Sequence, residues 1–219
     1  HPQRGPVSPA VFITLAEESG HIEALTDWII SHAVGQLATW RRLHPQAGSL
    51  GMHVNISGRD LARAGLVGHV RQVLEAHEVP ASALTLEITE TTLMGRLDVA
   101  LQNMGQLREL GVRFSIDDFG TGYSSLSYLS TLPIDSLKID RSFVMGLHEN
   151  PQNVEIVRAV LHLGLSLGRR VIAEGIETPR QLNALRELGV PVGQGYLLSR
   201  PLRAEQVQEL LAVGTVLPV

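Results

Sequence analysis

The chain has 219 residues, 44% of them hydrophobic, and a formal net charge of −4 at pH 7, so it can bury a sizeable core in one barrel-type domain or in two small ones. The mild acidity excludes the basic surface expected of a protein that binds duplex nucleic acid, and no apolar run reaches the roughly 18 residues of a membrane-spanning helix. Cysteine is absent, which excludes disulfides and thiolate metal sites and fits a reducing compartment, so we expect a cytoplasmic location.

The amino-terminal stretch, residues 1–9, lacks the apolar middle region of a signal peptide and is typical of the middle of a loop. We therefore expect the chain to begin inside a larger protein. No linker or low-complexity stretch divides the sequence, so residues 1–219 are expected to form a single domain.

Strand and helix patterns alternate along the whole chain. Six strands are predicted from short apolar runs, at residues 52–57, 84–89, 113–117, 136–140, 170–173 and 192–198. Helices are predicted at residues 9–19, 21–43, 65–77, 99–110, 124–132, 153–167, 179–188 and 204–212. Such alternation indicates a parallel sheet, and the even spacing of the short strands favours closure into a (β/α) barrel.

A complete barrel of this kind has eight strands, and six are clear in the sequence. The segment 190–199 has room for two short strands. Even so, at least one strand is missing, and we expect its place to be before residue 1.

The stretch 113–126 stands out because an apolar strand ends there in two adjacent aspartates, Asp117 and Asp118, followed by a glycine turn. Two neighbouring carboxylates repel each other, and a shared proton or a divalent cation relieves the repulsion. Because side chains alternate along a strand, a cation at this junction must be reached partly from the strand and partly from the turn. A helix cap by aspartate explains this pair about equally well.

Every predicted strand carries an acid, an amide or a lysine in or just beyond its apolar run. These residues are Asn55, Glu87, Glu90, Asp117, Asp118, Lys138, Asp140, Glu174, Glu177 and Gln194. The carboxyl-terminal ends of barrel strands meet at one face, where active sites lie. Carboxylate and amide oxygens suit a hard cation such as Mg²⁺ or Mn²⁺, and several converging acids favour a two-metal centre.

Each of these residues also has an ordinary structural explanation. Asn55 can belong to a helix cap, Glu87 can face outward from its strand, and Lys138 can extend to the surface. Gln194 lies between two glycines and can be a turn residue. The prediction therefore rests on the repetition at successive strand ends and not on any one position.

Six motifs in the sequence closely resemble those of the EAL domain, the bacterial phosphodiesterase domain specific for cyclic di-GMP. They are VNIS (54–57), LEITET (86–91), DDFGTGYSSLSYL (117–129), LKIDRSFV (137–144), AEGIET (173–178) and QGYLLSRPL (194–202). The resemblance implies an α/β fold, a modified (β/α)₈ TIM-type barrel whose first strand runs antiparallel to the others. It also implies metal-dependent hydrolysis of cyclic di-GMP to linear pGpG in bacterial signalling.

The resemblance implies a metal-binding role for five positions, with two Mg²⁺ or Mn²⁺ ions per site. Asn55, Glu87 and Asp117 would hold one ion. Asp117 would share the second ion with Asp118 and Glu174. A water between the two ions would be the nucleophile.

Four further positions receive supporting roles from the resemblance. Lys138 would contact the attacking water or the phosphate and steady the developing charge. Glu177 and Gln194 would support the site and the substrate. Glu90 would anchor the loop 119–125, which in this family responds to dimerisation and metal binding.

One departure from the family pattern concerns the Glu-Ala-Leu motif of the first strand, which supplies a metal-binding glutamate. The 219 residues contain this triplet only at Glu23-Ala24-Leu25, on a predicted helix, where we interpret it as coincidence. We therefore expect an EAL-type barrel without its first strand and with weak or no turnover. The strand edges exposed in this way favour a homodimer.

Two functional hypotheses from different classes stay open. The first is a cyclic di-GMP phosphodiesterase, which the intact positions Asp117, Asp118, Lys138 and Glu174 favour. The second is a receptor that binds cyclic di-GMP or a partner without cleaving it, which the absent first-strand glutamate favours. The resemblance further implies a neighbouring GGDEF or sensor domain in the full-length protein.

Overall fold

Six parallel strands form one sheet in the computed structural model, which describes residues 3, 5, 7–90, 97–122, 129 and 131–214. The strands are β1 (Met52–Asn55), β2 (Leu84–Thr89), β3 (Arg113–Phe119), β4 (Ser136–Ile139), β5 (Arg170–Ala173) and β6 (Val192–Gly193). Each strand pairs in parallel with the next strand along the chain. Within the described residues, β1 and β6 are the two edges of this sheet.

Helices precede, connect and follow the strands. They are α1 (Pro9–Glu18), α2 (Ile22–Leu43), α3 (Gly58–Leu61), α4 (Leu66–Ala76), α5 (Leu97–Leu110), α6 (Arg141–Met145), α7 (Pro151–Ser166), α8 (Pro179–Glu187) and α9 (Ala204–Val213). Short 3₁₀ helices at Pro45–Ala47 and Ala81–Ala83 precede β1 and β2. None of the described helices has both the length and the apolar character needed to cross a membrane.

The predicted alternation of strands and helices is confirmed, but the predicted strand 192–198 is wrong beyond Gly193. The chain turns there instead of extending, because the N–H of Ile176 donates to the carbonyl of Gln194 (3.1 Å) and the N–H of Leu197 donates to that of Ile176 (2.9 Å). Glycine is required at Gly195, where a Cβ atom would lie 2.2 Å from the backbone of Ile176. The described segment 190–199 therefore supplies one short strand and not two.

Two short helices, α3 and α6, were not predicted from the sequence. The side chain of Ser57 caps α3 by accepting a hydrogen bond from the N–H of Asp60. Asp140, predicted as the last residue of a strand, caps α6 by accepting from the N–H of Ser142 (2.9 Å). Most of the predicted helix 124–132 lies outside the described residues.

Alternation along the strands sorts their side chains into apolar and polar rows. On the apolar face, Leu86 and Ile88 align with Phe114 and Ile116, and all four side chains are fully buried. They belong to one core that also contains the buried residues of the surrounding helices. This packing fixes the register, because a slip by one residue would exchange the two faces of a strand.

The opposite face of the sheet carries the polar row. Asn55, Glu87, Ser115 and Ser136 align across β1 to β4, and the Ser136 hydroxyl donates to that of Ser115 (2.9 Å). Lys138 lies two residues beyond Ser136 on the same face. The register of the apolar core thus brings the polar side chains of successive strands together.

Replacing Phe114 with alanine should lower the free energy of unfolding by about 3–5 kcal/mol, because the large side chain is fully buried between β3 and the helices. Chemical denaturation followed by circular dichroism measures the change. Leu165→Ala is the matched control, since this side chain is 64% exposed and its loss should cost less than about 0.5 kcal/mol. Equal losses for both variants would contradict this description of the core.

Candidate metal centre

Three carboxylates meet where β3 and β5 end. Asp117 and Asp118 lie near the carboxyl-terminal end of β3, and Glu174 directly follows β5. One carboxylate oxygen from each of the three residues lies within 4.8 Å of the other two, a spacing that can hold a metal ion. Oxygen donors of this kind fit a hard divalent cation, so the residues present suit the predicted metal.

A backbone irregularity explains how two consecutive aspartates reach the same place. The pairing of β3 with β4 shifts register between Ile116 and Phe119, and Asp118 has a φ of 53°. Non-glycine residues rarely adopt this left-handed conformation, and such outliers concentrate at functional sites. The bulge thus brings Asp117 and Asp118 to one cluster although alternation alone would separate them.

Lys138 lies at the centre of the cluster and contacts a carboxylate from β2, one from β3 and one from the residue after β5. Its Nζ is 2.9 Å from Glu87 Oε2 and 3.1 Å from Asp117 Oδ1, and it also pairs with Glu174. The side chain is 5% exposed, so the alternative that Lys138 extends to the surface is wrong. Burial lowers the pKa of the ammonium group, but the hydrogen bonds and charges of Glu174 and Glu87 outweigh burial and raise it above its ordinary value.

Glu87 faces the inside of the cluster, so the alternative that it faces outward is also wrong. Its Oε1 lies 2.7 Å from Nδ1 of His53, and its Oε2 pairs with Lys138. Burial raises the pKa of this carboxyl, but the hydrogen bond with His53 and the charge of Lys138 reverse the effect and hold the pKa below its ordinary value. Glu87 is therefore ionised at neutral pH.

The cluster carries more carboxylates than Lys138 can neutralise, and the raised pKa values of Glu174 and Asp118 show this excess of negative charge. Burial raises the pKa of Glu174 to about 7, with added repulsion from Asp117 and Glu87 that Lys138 only partly offsets. Burial and the charge of Asp117 likewise raise the pKa of Asp118. Gln194 donates from Nε2 to Glu174 Oε1 at 2.5 Å.

Glu90, which directly follows β2, contacts the loop that follows β3. Its Oε2 accepts hydrogen bonds from the N–H groups of Gly120 (3.1 Å) and Gly122 (3.2 Å), and the residue is buried. A Cβ atom at Gly122 would lie 2.9 Å from the Glu90 carboxyl group. The glycine therefore allows the loop to approach this carboxylate; residues 123–125 of the predicted loop lie outside the described residues.

A cavity of about 390 Å³ opens beside Glu174 and is lined by charged and aromatic side chains. Arg141 pairs with Glu177 Oε1 at 2.8 Å on one side of it. The guanidinium of Arg200 lies 5.1 Å from the centre of the Tyr196 ring. Glu177 thus lines this cavity and does not join the three clustered carboxylates.

Asn55 lies at the end of β1, in register with Glu87, and is exposed. Ser57, not Asn55, caps the following helix. Glu23 of the Glu-Ala-Leu triplet is exposed on the first turn of α2, as expected for a coincidental match.

Four residues of the site were not predicted from the sequence: His53, Arg141, Tyr196 and Arg200. The strand period of two would have found His53, since it precedes Asn55 by two residues on the same face. The other three line the cavity beside Glu174, and no spacing in the sequence predicts that they meet there.

The sequence matches the EAL domain family over residues 1–201. The chain belongs to the EAL domain family. Two curated relatives from Pseudomonas aeruginosa illustrate the membership. Cyclic di-GMP phosphodiesterase NbdA is 45% identical over 96% of this chain and 27% of the relative. Bifunctional diguanylate cyclase/cyclic di-GMP phosphodiesterase MucR is 43% identical over 94% of this chain and 30% of the relative. This EAL domain chain thus spans less than a third of the length of either relative.

Solved EAL structures share the fold. The PaMucR phosphodiesterase in its c-di-GMP complex is 42% identical, with a TM-score of 0.89 over 94% of this chain and 83% of that chain. The EAL enzyme Bd1971, with cAMP and cyclic di-GMP bound, is 38% identical, with a TM-score of 0.90 over 96% of this chain and 57% of that chain. The predicted α/β, TIM-type fold is therefore confirmed as that of EAL domains.

Mn²⁺ binding to this EAL domain should strengthen as the pH rises from about 6 to 8. The pKa of Glu174 is raised to about 7, so below that pH a proton occupies the oxygen that the cation needs, and affinity falls by up to about tenfold per pH unit. Isothermal titration calorimetry at several pH values measures the slope.

Glu174→Gln should flatten this slope, because the amide does not titrate. Glu155→Gln is the control, since Glu155 is an exposed carboxyl group paired with Arg158 on α7. A slope that is equal in the native chain and in Glu174→Gln would contradict the assignment to Glu174.

Proposed function

We propose that this EAL domain hydrolyses one phosphodiester bond of cyclic di-GMP and releases linear pGpG, with two Mg²⁺ or Mn²⁺ ions bound. The observation that carries the proposal is the buried ammonium group of Lys138 among Glu87, Asp117 and Glu174, beside the carboxylate of Asp118. The names of the relatives, which are cyclic di-GMP phosphodiesterases, support the same reaction.

The proposed metal ligands fall into two sets that share Asp117. Asn55, Glu87 and Asp117 form the first set, supported by the register that aligns Asn55 with Glu87 and Thr89 with Asp117. Asp117, Asp118 and Glu174 form the second set, supported by the spacing of their oxygens. When bound, such cations lower the pKa of a coordinated water and offset the charge of the phosphate.

The reaction consumes one water for each bond that is cleaved. The water oxygen bonds to phosphorus, the bond from phosphorus to one ribose oxygen breaks, and that oxygen receives a proton. Lys138 is protonated, because its neighbours raise its pKa, so it can donate hydrogen bonds to the negative oxygens of the phosphate as charge develops. Gln194 holds Glu174 in place through its amide.

The cavity beside Glu174 is the proposed position for part of the dinucleotide. Tyr196 offers a ring face to a purine, and Arg200 and Arg141 offer guanidinium groups to phosphate or guanine oxygens. Glu177 pairs with Arg141 and supports this wall of the cavity. Glu90 is proposed to hold the loop after β3 through its contacts with that loop's backbone.

We propose that these 219 residues alone have weak or no turnover, since the first-strand glutamate of the family has no counterpart among them. A missing ligand lowers metal affinity and leaves the water poorly placed. A second candidate function is a receptor that binds cyclic di-GMP without cleaving it.

We also propose a homodimer, a neighbouring GGDEF or sensor domain, and action in the cytoplasm. Within the part of the chain that the structure describes, β1 has a strand partner on one side only, and an unpaired strand edge is a template for pairing with another strand. The other two proposals rest on the family resemblance and the composition.

Lys138→Met should lower the turnover rate at least about 100-fold. The affinity for Mn²⁺ should stay the same or increase. The variant removes the positive charge that faces the phosphate, and it also removes a cation that competes with the metal for the same carboxylates. Arg158→Met is the control, because Arg158 forms an exposed pair on α7. The experiment uses a chain extended upstream and measures turnover and calorimetric binding. Normal turnover by Lys138→Met would exclude the proposed role.

Hydrolysis of cyclic di-GMP in Mn²⁺ should be slow or undetectable for these 219 residues and rapid for a chain extended upstream by about 30 residues, which is enough for one strand and its loop. Chromatography of pGpG measures both. If neither chain makes pGpG but both bind cyclic di-GMP, the receptor function is correct instead. Rapid turnover by the 219 residues alone would contradict the proposed need for a further ligand.

A further inference from the structure

His53 is a histidine whose position the family motifs do not explain. It lies on β1, in register with Thr85, and shares a face of the sheet with Asn55 two residues later. From there its ring reaches diagonally to the next strand, and its Nδ1 lies 2.7 Å from Glu87 Oε1.

The contact distinguishes the two oxygens of the Glu87 carboxylate. Oε1 meets His53, whereas Oε2 lies 2.9 Å from Lys138 Nζ, on the side of Asp117. An ionised carboxylate only accepts hydrogen bonds, so Nδ1 of His53 is the donor. With one donor on each oxygen, the carboxylate plane is fixed.

We propose that His53 is a positioning residue for Glu87. By holding Oε1, it keeps Oε2 directed at the other carboxylates of the proposed metal site. The inference rests on the proposed metal site and adds to it a residue that orients one ligand. Hydrogen bonds of this kind orient metal-binding side chains, and their loss typically weakens metal binding about 10-fold to 100-fold.

The exposure of the two partners argues against a role in stability alone. The side chain of His53 is 46% exposed, whereas that of Glu87 is 7% exposed. Replacing the half-exposed imidazole opens no cavity in the core, although Oε1 of the buried Glu87 then loses its donor. Glu87 keeps Lys138 as a partner, so the fold should tolerate substitution of His53.

The test is Mn²⁺ binding, read from the electron paramagnetic resonance signal of the free ion. His53→Leu removes the donor and should weaken binding about tenfold. His53→Asn places an amide N–H near the position of Nδ1 and should restore binding to within about threefold of the native chain. Circular dichroism checks that both variants are folded.

The matched control is His69→Leu. His69 also pairs with a carboxylate, Asp27, at 3.4 Å, and this pair joins α2 and α4. The control variant should bind Mn²⁺ as the native chain does. An equal loss of binding in His69→Leu and His53→Leu would overturn the proposal, because removal of any histidine would then have the same effect.

A double-mutant cycle assigns the effect to Glu87. If His53 acts through this carboxylate, His53→Leu should cause no further loss in a Glu87→Gln background. An undiminished loss in that background would overturn the proposal. So would native-like binding by His53→Leu, or a loss that His53→Asn fails to restore.

Asp117→Asn separates this inference from the proposed function. If Asp117→Asn loses Mn²⁺ and His53→Leu does not, the metal site stands and the role of His53 is overturned. If the native chain binds no Mn²⁺, or Asp117→Asn binds it normally, the metal site and the role of His53 are both overturned.

Discussion

The structure of this site depends on a single buried ammonium group, which forms ion pairs with carboxylates from three parts of the sheet. Lys138 on β4 contacts carboxylates from β2, from β3 and from the residue after β5. A buried charge is tolerated only when it is paired, so the lysine and the acids require one another. The register set by the apolar face must therefore also satisfy the polar face, and this double requirement leaves few ways to align the strands.

The pairing is incomplete, and the imbalance gives the site its chemistry. Four carboxylates, those of Glu87, Asp117, Asp118 and Glu174, converge here, and Lys138 pairs with three of them, all but Asp118. Glu87 has two donors and a lowered pKa, whereas the pKa values of Asp118 and Glu174 are raised. The cluster thus has a well-neutralised side near β2 and an acidic side near Asp118 and Glu174. A divalent cation would relieve the repulsion on the acidic side, which couples cation binding to the electrostatics of the folded chain.

The sequence predicted the features that depend on local pattern. Apolar runs gave β1 to β5, and the polar residues at their ends gave the cluster, because parallel strands bring equivalent ends together. It failed where distant backbone contacts decide the structure. The turn at Gly195 depends on a close approach to Ile176, and the convergence of Asp117 and Asp118 depends on a bulge against β4. The cavity lined by Arg141 and Tyr196 joins segments about fifty positions apart, which no periodicity describes.

Lys138 is also the only lysine among the 219 residues; every other cationic side chain of the Lys and Arg class is arginine. A lysine-specific protease therefore finds one cleavage point, in the middle of a fully buried strand. The enzyme reaches that bond only when the sheet opens, so the cleavage rate reports the population of the open form when closing is fast. Cleavage at Lys138, the residue that partly neutralises the acidic cluster, thus measures how often the centre of the sheet opens.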